Sequence, residues 1–374
     1  MTYSGTQPQG SGPGRIVLLS DGVPGHKHQS SGIARWLERL GGACVHEIEV
    51  PRLTGLKRFI YLKLLARGLD DASPRRARAW LSAAGFSLSV LPEDAQAHGR
   101  ETLFLSAGSS AAPFCLALAR VLGGYSAVVM TPSMGTRPFD FAIVPSHDRS
   151  PATRNALTTW GAPNLIDRPE LQTAAEGFFT PAPHFPRKVV ALLIGGGDAN
   201  YQLTPSWARD TLPPLLSAVE RNGAALLATT SRRTGAAVDD AVESILGESP
   251  ATRYLLLASR ASDNPVPAML GAATHVLVTE DSVSMVSEAA TAGFRVGLLR
   301  VGRTPLSKVR GLLGGGAARF DALFRSLALR GLVADLGDAP DFEAFLNPDE
   351  GRTDVPFNEA RRAAEWILKC WRNG

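Results

Sequence analysis

The chain has 374 residues, of which 44% are hydrophobic, so it is long enough for two well-packed domains of ordinary size. Its 39 basic and 35 acidic residues give a net charge of only +4, which argues against a nucleic-acid-binding protein. The three cysteines, Cys44, Cys115 and Cys370, are widely spaced, which argues against a disulfide framework or a zinc site.

The first segment, residues 1–14, consists mostly of Gly, Pro, Ser and Gln, and we predict a disordered tail without a signal peptide. No later run approaches the roughly 20 apolar residues that a membrane-spanning helix needs. Together with the low cysteine content, this predicts a cytoplasmic protein.

Short apolar strands then alternate with helical stretches, the pattern of parallel βαβ units. The pattern runs over residues 15–165, is interrupted by a Pro- and Gly-containing linker at 166–187, and restarts over residues 188–355. A last helix is predicted within 356–374, and it could pack on either domain. We therefore predict an α/β fold with two Rossmann-like, doubly wound domains facing a central cleft.

In such sheets ligands bind at the carboxyl ends of the strands, and a polar motif follows the first strand of the first domain. In this motif, DGVPGHKHQS, His26 is a candidate general base because imidazole titrates near neutral pH. The alternative is a loop histidine that only bonds the backbone. We assign four further residues of this domain to the binding of an acceptor substrate: Asp21, Gly25, Lys27 and the later turn residue Ser109. No third metal ligand accompanies the two histidines of this motif, so no metal site is predicted.

The most informative motif of the second domain is VLVTEDSVSMVSEAATAGFRVGLL, a strand, a polar turn, a helix and another strand. The first amides of a helix carry partial positive charge, so the turn with Thr279, Asp281 and Ser282 is a candidate diphosphate seat. Ser282 and Ser284 could donate to phosphate oxygens, and Glu288 could accept from ribose hydroxyls. The alternative is an ordinary well-capped helix.

Three further motifs of this domain are candidates for donor binding. Gly195 and Gly196 end a strand and would let the backbone approach a ligand, or form a simple flexible turn. Asn264 precedes a proline that opens a helix, where it could frame a nucleobase or only start the helix. An arginine pair flanked by hydroxyl residues matches phosphate oxygens, or is a solvated loop. It consists of Ser231, Arg232, Arg233 and Thr234.

The chain has no GxGxxG fingerprint, no P-loop and no Asp-x-Asp triplet. Neutralisation of a diphosphate by helix amides and arginine is therefore favoured over metal chelation. We predict no cofactor, and the expected substrate is a nucleoside-diphosphate sugar. A basic, amphipathic stretch at residues 56–78 fits an anionic membrane surface or, equally, an ordinary helix with a solvated basic face.

These motifs together resemble the mitochondrial-fission (elongated mitochondria) family of GT-B glycosyltransferase-like proteins. The matching blocks include DG..GH..QS after the first strand, SRRT at 231–234 and EDSVSMVSE at 280–288. The resemblance implies a nucleotide-sugar on the C-terminal domain and an acceptor on the N-terminal one. The Gly25-His26 loop is also similar to that of lipid-II-forming transferases. Glu280 and Glu288 have a spacing seen in retaining GT-B enzymes, from which no stereochemistry is inferred. Asp198 and Asn200 depart from the family pattern.

The sequence thus favours a metal-independent glycosyltransferase acting on an envelope or lipid-linked acceptor. A peripheral location on the inner face of a membrane is compatible with this interpretation. Two alternatives remain open. One is a non-catalytic GT-B-like scaffold, since plant relatives recruit a dynamin-like protein, and the other is nucleotide-sugar epimerisation. The sugar, the nucleobase, the acceptor, the stereochemistry and the oligomeric state are left open.

Overall fold

The computed structural model describes residues 12–53, 56–148, 153–179, 185–261, 263–311, 316–347 and 351–371. The chain divides into two compact units, one of Met1–Leu165 with Asn358–Gly374 and one of Ile166–Phe357. Of the predicted tail, residues 1–11 lie outside the described residues. Gly14 is already part of the fold, because its amide donates to the Glu101 carbonyl and its carbonyl accepts from the Cys44 amide, each at 3.0 Å.

The first unit is built on a parallel sheet that has, in the part of the chain described, six strands in the order β2-β1-β3-β4-β5-β6. Strands β3 and β5 are buried along their whole length because helices cover both faces, which explains their continuous apolar sequence. The strands are β1 (Arg15–Ser20), β2 (Cys44–Glu49), β3 (Thr102–Ala107), β4 (Tyr125–Val129), β5 (Phe141–Pro145) and β6 (Ala156–Thr159).

Helices of the first unit lie on both faces of this sheet, and an apolar cluster fills each interface. They are α1 (Pro24–Gly41), α2 (Leu56–Ala66), α3 (Pro74–Ala84), α4 (Glu93–Ala97) and α5 (Gly108–Leu122), with 3₁₀ turns at Arg67–Leu69, Leu88–Val90, Gly99–Glu101 and Ser146–Asp148. Helix α5 is buried almost throughout and contacts α3, where Trp80 packs edge-on against Phe114 at 5.0 Å between ring centroids.

The second unit repeats this architecture, with a parallel sheet whose described strands have the order β10-β9-β7-β11-β12-β14. A short antiparallel ribbon pairs β8 with β13. The strands are β7 (Val189–Leu193), β8 (Tyr201–Gln202), β9 (Ala225–Thr229), β10 (Thr252–Leu256), β11 (His275–Thr279), β12 (Val296–Leu299), β13 (Gly302–Arg303) and β14 (Val333–Asp335). The helices are α6 (Arg168–Phe178), α7 (Pro205–Arg221), α8 (Ala236–Leu246), α9 (Val266–Ala272), α10 (Val283–Thr291), α11 (Pro305–Gly311), α12 (Ala318–Leu329) and α13 (Phe342–Phe345).

The segment predicted as a linker, 166–187, contains helix α6, which packs closely on α9. The helices approach so tightly that a Cβ atom on Gly271 would lie 2.0 Å from the Leu171 carbonyl oxygen. Leu171 and Ala175 are buried on the contacting face, one helical turn apart. This part of the segment therefore belongs to the second unit.

The last helix, α14 (Glu359–Trp371), returns to the first unit and packs along α1. Its buried face is rich in alanine, which lets the two helices approach closely. At its end, the Trp371 ring lies 4.2 Å from that of Tyr125. At its start, the buried Glu359 carboxylate accepts from the Trp160 amide at 3.0 Å. None of the described helices is both long and apolar enough to cross a membrane.

Candidate functional site

Three loops meet at the carboxyl edge of the second sheet, because β9, β7 and β11 are adjacent parallel strands. The loop after β7 is tied to the turn after β11 by two hydrogen bonds of 2.7 Å. In one, the Gly195 amide donates to Thr279 Oγ1, and in the other the Gly196 amide donates to Asp281 Oδ2. Four of the predicted donor-binding residues are therefore brought into direct contact.

The two glycines are required by this close approach. A Cβ atom on Gly195 would lie 2.1 Å from a carboxylate oxygen of Asp281, and one on Gly196 would lie 2.3 Å from the backbone carbonyl carbon of Arg233. Both distances are shorter than any side chain tolerates. The alternative of a simple flexible turn therefore does not describe this loop.

Arg233 fastens the third loop to the other two. Its Nη2 donates to Asp281 Oδ2 at 3.0 Å and its Nη1 to the Gly196 carbonyl at 3.3 Å, while the Thr234 hydroxyl donates to the Gly195 carbonyl. The Asp281 side chain is completely buried, and this burial raises its pKa, against the opposing effects of its hydrogen bonds and of Arg233. Arg233 thus supports the loops and compensates the charge of Asp281.

Arg232 differs from its neighbour. It is exposed and forms no hydrogen bond or ion pair with any residue of the described ranges. In the same loop, the Ser231 hydroxyl accepts from the Arg233 amide at 3.2 Å. Arg233 is therefore paired with Asp281, whereas the charge of Arg232 is uncompensated.

Helix α10 begins directly after the Asp281 turn. The buried Ser282 caps it by accepting from the Met285 amide at 3.5 Å, so the capping alternative holds for this hydroxyl. The amides of Val283 and Ser284 precede the first intrahelical hydrogen bond and carry the positive end of the helix dipole. Ser284 is exposed, and its hydroxyl lies 3.3 Å from that of Ser282. The Ser282 cap therefore leaves these two amides available to an anion.

Glu288 lies further along α10. Its carboxylate is half-buried and has no hydrogen-bonding or ionic partner within the described part of the chain. Burial raises its pKa from 4.5 to about 7. A half-buried, unpaired carboxyl group with a strongly raised pKa is typical of functional sites, because a merely structural carboxylate is normally paired.

Glu280 has a different environment from Glu288. Its buried carboxylate accepts from Arg300 Nη1 at 2.6 Å and from the Val301 amide at 3.0 Å. Arg300 also pairs with Asp335. Glu280 therefore serves an internal ionic network, and the Glu280–Glu288 spacing carries no functional pair. Asn264 is exposed and accepts from the Val266 amide at 3.3 Å at the start of α9.

In the first unit, His26 and Asp21 form a hydrogen-bonded pair at the carboxyl end of β1. His26 Nδ1 lies 3.0 Å from Asp21 Oδ2, and Asp21 also accepts from the Val23 amide at 3.1 Å. The sequence predicts a helix from about Gln29, but helix α1 begins five residues earlier, at Pro24, since proline suits a first helical position. His26 is therefore a first-turn helix residue and not a loop residue.

The imidazole of His26 packs closely against Gly108 at the start of α5. A Cβ atom on Gly108, whose φ is +75°, would lie 2.4 Å from His26 Cε1. His26 Nε2 makes no hydrogen bond within the ranges that the structure describes. A carboxylate on Nδ1, a fixed ring and an unengaged Nε2 are the geometry of a general base.

The other predicted acceptor-side residues are placed differently. Lys27 pairs with Glu47 at 2.6 Å, so its charge is compensated. The Ser109 hydroxyl accepts from the Ser133 amide at 2.9 Å. A side chain on Gly25 would meet open space. In the described part of the chain, no group of three or more His, Cys, Asp or Glu residues could hold a metal ion.

The close contact of Gly196 with the Arg233 backbone predicts how a substitution changes the stability of the protein. Gly196→Ala is expected to lower the free energy of unfolding by about 1–3 kcal/mol, because the new methyl group overlaps the Arg233 backbone. Gly197→Ala is the matched control, since its Cβ would meet only Tyr201 at an ordinary 3.6 Å. Urea unfolding of both variants measures the difference. Equal stability of the two variants would contradict the packing described.

The chain is similar to known proteins in both sequence and fold. The family model "Mitochondrial fission ELM1" matches residues 24–371. "Mitochondrial fission protein ELM1" of Arabidopsis thaliana is 27% identical over 177 residues, and this match covers 41% of the chain and only 40% of the plant protein.

Two solved structures of UDP-GlcNAc 2-epimerase from Methanocaldococcus jannaschii have TM-scores of 0.54 and 0.51 to this chain at 11% and 14% identity. Each match covers 96% of this chain and 99% of the epimerase. At such identities the likeness concerns the fold alone. It confirms the predicted α/β architecture of two Rossmann-like domains of the GT-B-like class.

Proposed function

The chain belongs to the Mitochondrial fission ELM1 family, and we propose that it is a glycosyltransferase using a nucleoside-diphosphate sugar. The observation that carries the proposal is the convergence of three loops and the start of α10 at one sheet edge. That edge supplies unpaired helix amides and one uncompensated arginine, and helix α10 carries one unpaired carboxyl group, that of Glu288. These are the groups that a diphosphate and a ribose require.

In the proposed donor site, the diphosphate binds the first amides of α10 and Arg232. Arg233 and Asp281 act behind them by holding the loops in place. Glu288 accepts hydrogen bonds from the ribose hydroxyls, for which its ionised form is the better acceptor. The charge that develops on the leaving diphosphate is stabilised by fixed dipoles and a guanidinium group, without a metal ion.

In the proposed acceptor step, His26 Nε2 removes the proton from the acceptor hydroxyl as the bond to the sugar forms. Asp21, on the other ring nitrogen, fixes the tautomer and stabilises the imidazolium that results. The bond between the sugar and the diphosphate breaks in the same displacement. The nucleoside diphosphate leaves with the electron pair.

The family supports a second candidate, a scaffold that recruits a partner without chemistry, since the plant relative is described as a mitochondrial fission protein. A scaffold has no need of an unpaired Glu288 or of an oriented His26. We therefore favour transfer. A protein that binds no nucleotide-sugar at all would favour the scaffold.

Nucleotide binding is tested by thermal shift with UDP, GDP, CMP and ADP sugars, beginning with UDP-GlcNAc because it is named for the two archaeal structures. We expect one nucleotide to stabilise the protein. Arg232→Ala should lower the affinity for that nucleotide by about tenfold or more, which is the contribution of one charge-assisted phosphate contact. The stability of the free protein should not change.

Arg233→Ala should weaken binding and also destabilise the free protein by about 1–2 kcal/mol, because Asp281 and Gly196 lose their partner. Arg330→Ala, in the same unit and bonded to Ser326 at the end of α12, is the control. Binding that is insensitive to Arg232 would place the phosphates elsewhere. No shift with any of the four nucleotides would overturn the donor site.

A further inference from the structure

The first unit contains a pocket of about 380 Å³ that the donor site does not use. Its size is in the range of ligand pockets, roughly 300–1,000 Å³. Apolar side chains form most of its wall, and they come from the end of β2 and from α2, α3 and α5. They are Val50, Leu53, Leu62, Trp80 and Pro113.

Asp21 joins this pocket to the candidate base. Asp21 lines the pocket, and its carboxylate oxygen Oδ2 lies 3.0 Å from His26 Nδ1. Trp80 presents only its apolar ring to the pocket, because its indole nitrogen already donates to the Leu62 carbonyl at 3.1 Å. An apolar group in the pocket would therefore lie beside the Asp21–His26 pair without leaving a buried donor unsatisfied.

Positive charge lies at the same pocket. Arg52 and Lys63 both line it. Arg52 is exposed and has no hydrogen bond or ion pair within the described ranges. Among the described lining residues Asp21 alone is acidic, and it is already engaged by His26 and the Val23 amide. The charge of the lining therefore complements an anionic group next to an apolar one.

Helix α2 contributes to the pocket with Leu62 and Lys63 and exposes apolar side chains elsewhere. Ile60, Leu64 and Leu65 are 49%, 56% and 45% exposed. Exposed leucine and isoleucine next to arginine and lysine are typical of helices that contact lipid headgroups. The helix that forms one wall of the pocket is therefore itself suited to amphipathic material.

We propose that this pocket is the acceptor site and that it binds an anionic amphiphile, with the apolar part against Leu53 and Trp80 and the anionic group on Arg52. This inference rests on the proposed transfer and names the chemical class of its acceptor. The acceptor hydroxyl would be presented to His26 Nε2. The amphiphile is either a free molecule or one anchored in a bilayer, and both share this chemistry.

The test uses the full chain and isothermal titration with farnesyl phosphate below its critical micelle concentration, with farnesol and inorganic phosphate as partial ligands. We expect farnesyl phosphate to bind, farnesol to bind about tenfold more weakly, and inorganic phosphate not to bind measurably. Arg52→Ala should match the loss seen with farnesol. Leu53→Arg should abolish binding by placing a charge in the apolar wall.

Leu40→Arg and Arg100→Ala are the matched controls, since both residues are exposed and neither lines the pocket. Sedimentation with phosphatidylglycerol vesicles separates the two sources. Vesicle binding that depends on Leu53 and Arg52 indicates a bilayer-anchored acceptor, whereas binding of farnesyl phosphate alone indicates a free one. Absence of farnesyl phosphate binding, or binding unaffected by both pocket variants, would overturn the proposal.

UDP is titrated against the same samples, so that the two proposals fail separately. If the protein binds the nucleotide but not farnesyl phosphate, the acceptor-pocket proposal fails and the donor-site proposal stands. A protein that binds farnesyl phosphate and no nucleotide keeps the pocket and loses the proposed function.

Discussion

Replacement of His26 by alanine is expected to lower kcat for sugar transfer by roughly 10²–10⁴-fold, the usual contribution of a positioned general base. Nucleotide affinity should not change, because His26 lies in the first unit and the donor loops lie in the second. The imidazole is held for this role by Asp21 on one nitrogen and by the Gly108 backbone against its ring.

Asp21→Asn tests the positioning of that base. The amide cannot stabilise an imidazolium, so kcat should fall by a large factor while KM for the donor stays constant. A merely structural role for Asp21 would lower stability and leave the kcat of the folded fraction intact. His28→Ala, two residues further along α1, is the matched control. If the His26→Ala variant retains the wild-type kcat, His26 is not the general base.

The second large effect is a gain in stability. Glu288→Gln is expected to raise the free energy of unfolding at pH 8 by about 3 kcal/mol, since the pKa of Glu288 rises from 4.5 to about 7 on folding. The folded chain therefore holds the proton more tightly than the unfolded chain. Wild-type stability falls as the pH rises between these two values, and the full cost is present above pH 7. Glutamine cannot ionise and escapes this cost.

Urea unfolding at pH 4.5 and pH 8 measures the effect, with a small difference expected at the lower pH. Glu280→Gln is the contrasting control, because it removes one charged partner of Arg300 and should destabilise the protein at pH 8. The Glu288 variant should also lose nucleotide affinity, which would identify a group retained for function at the expense of stability. Equal stability of wild type and Glu288→Gln at pH 8 would contradict the buried, unpaired environment.

Much of the architecture could be predicted from sequence because the buried strands of both sheets are continuous apolar runs that end in polar turns. The sequence predicts a linker at 166–187, where the structure has helix α6. Pro and Gly at the borders of this segment obscured the buried Leu171 and Ala175. Their spacing of four residues was the available signal. The early start of α1 was missed although Pro24 marked it.

The roles of individual site residues depended on long-range contacts that no local pattern contains. The sequence could not separate Arg232 from Arg233, because the difference lies in the contact of Arg233 with Asp281, 48 residues away. Asp21 was assigned to the acceptor side, yet its pairing with His26 required the turn into α1. Likewise, Glu280 differs from Glu288 through its contacts with Arg300 and the Val301 amide, about 20 residues away.

The central claim, that a nucleoside diphosphate binds the carboxyl edge of β7, β9 and β11, is tested most directly by hydrogen exchange of the full chain with and without UDP. The unbonded amides of Val283 and Ser284 should exchange rapidly in the free protein and become protected on binding. Protection should cover residues 194–198, 230–235 and 279–288. Bound UDP that leaves these three segments unprotected and protects others instead would contradict the account.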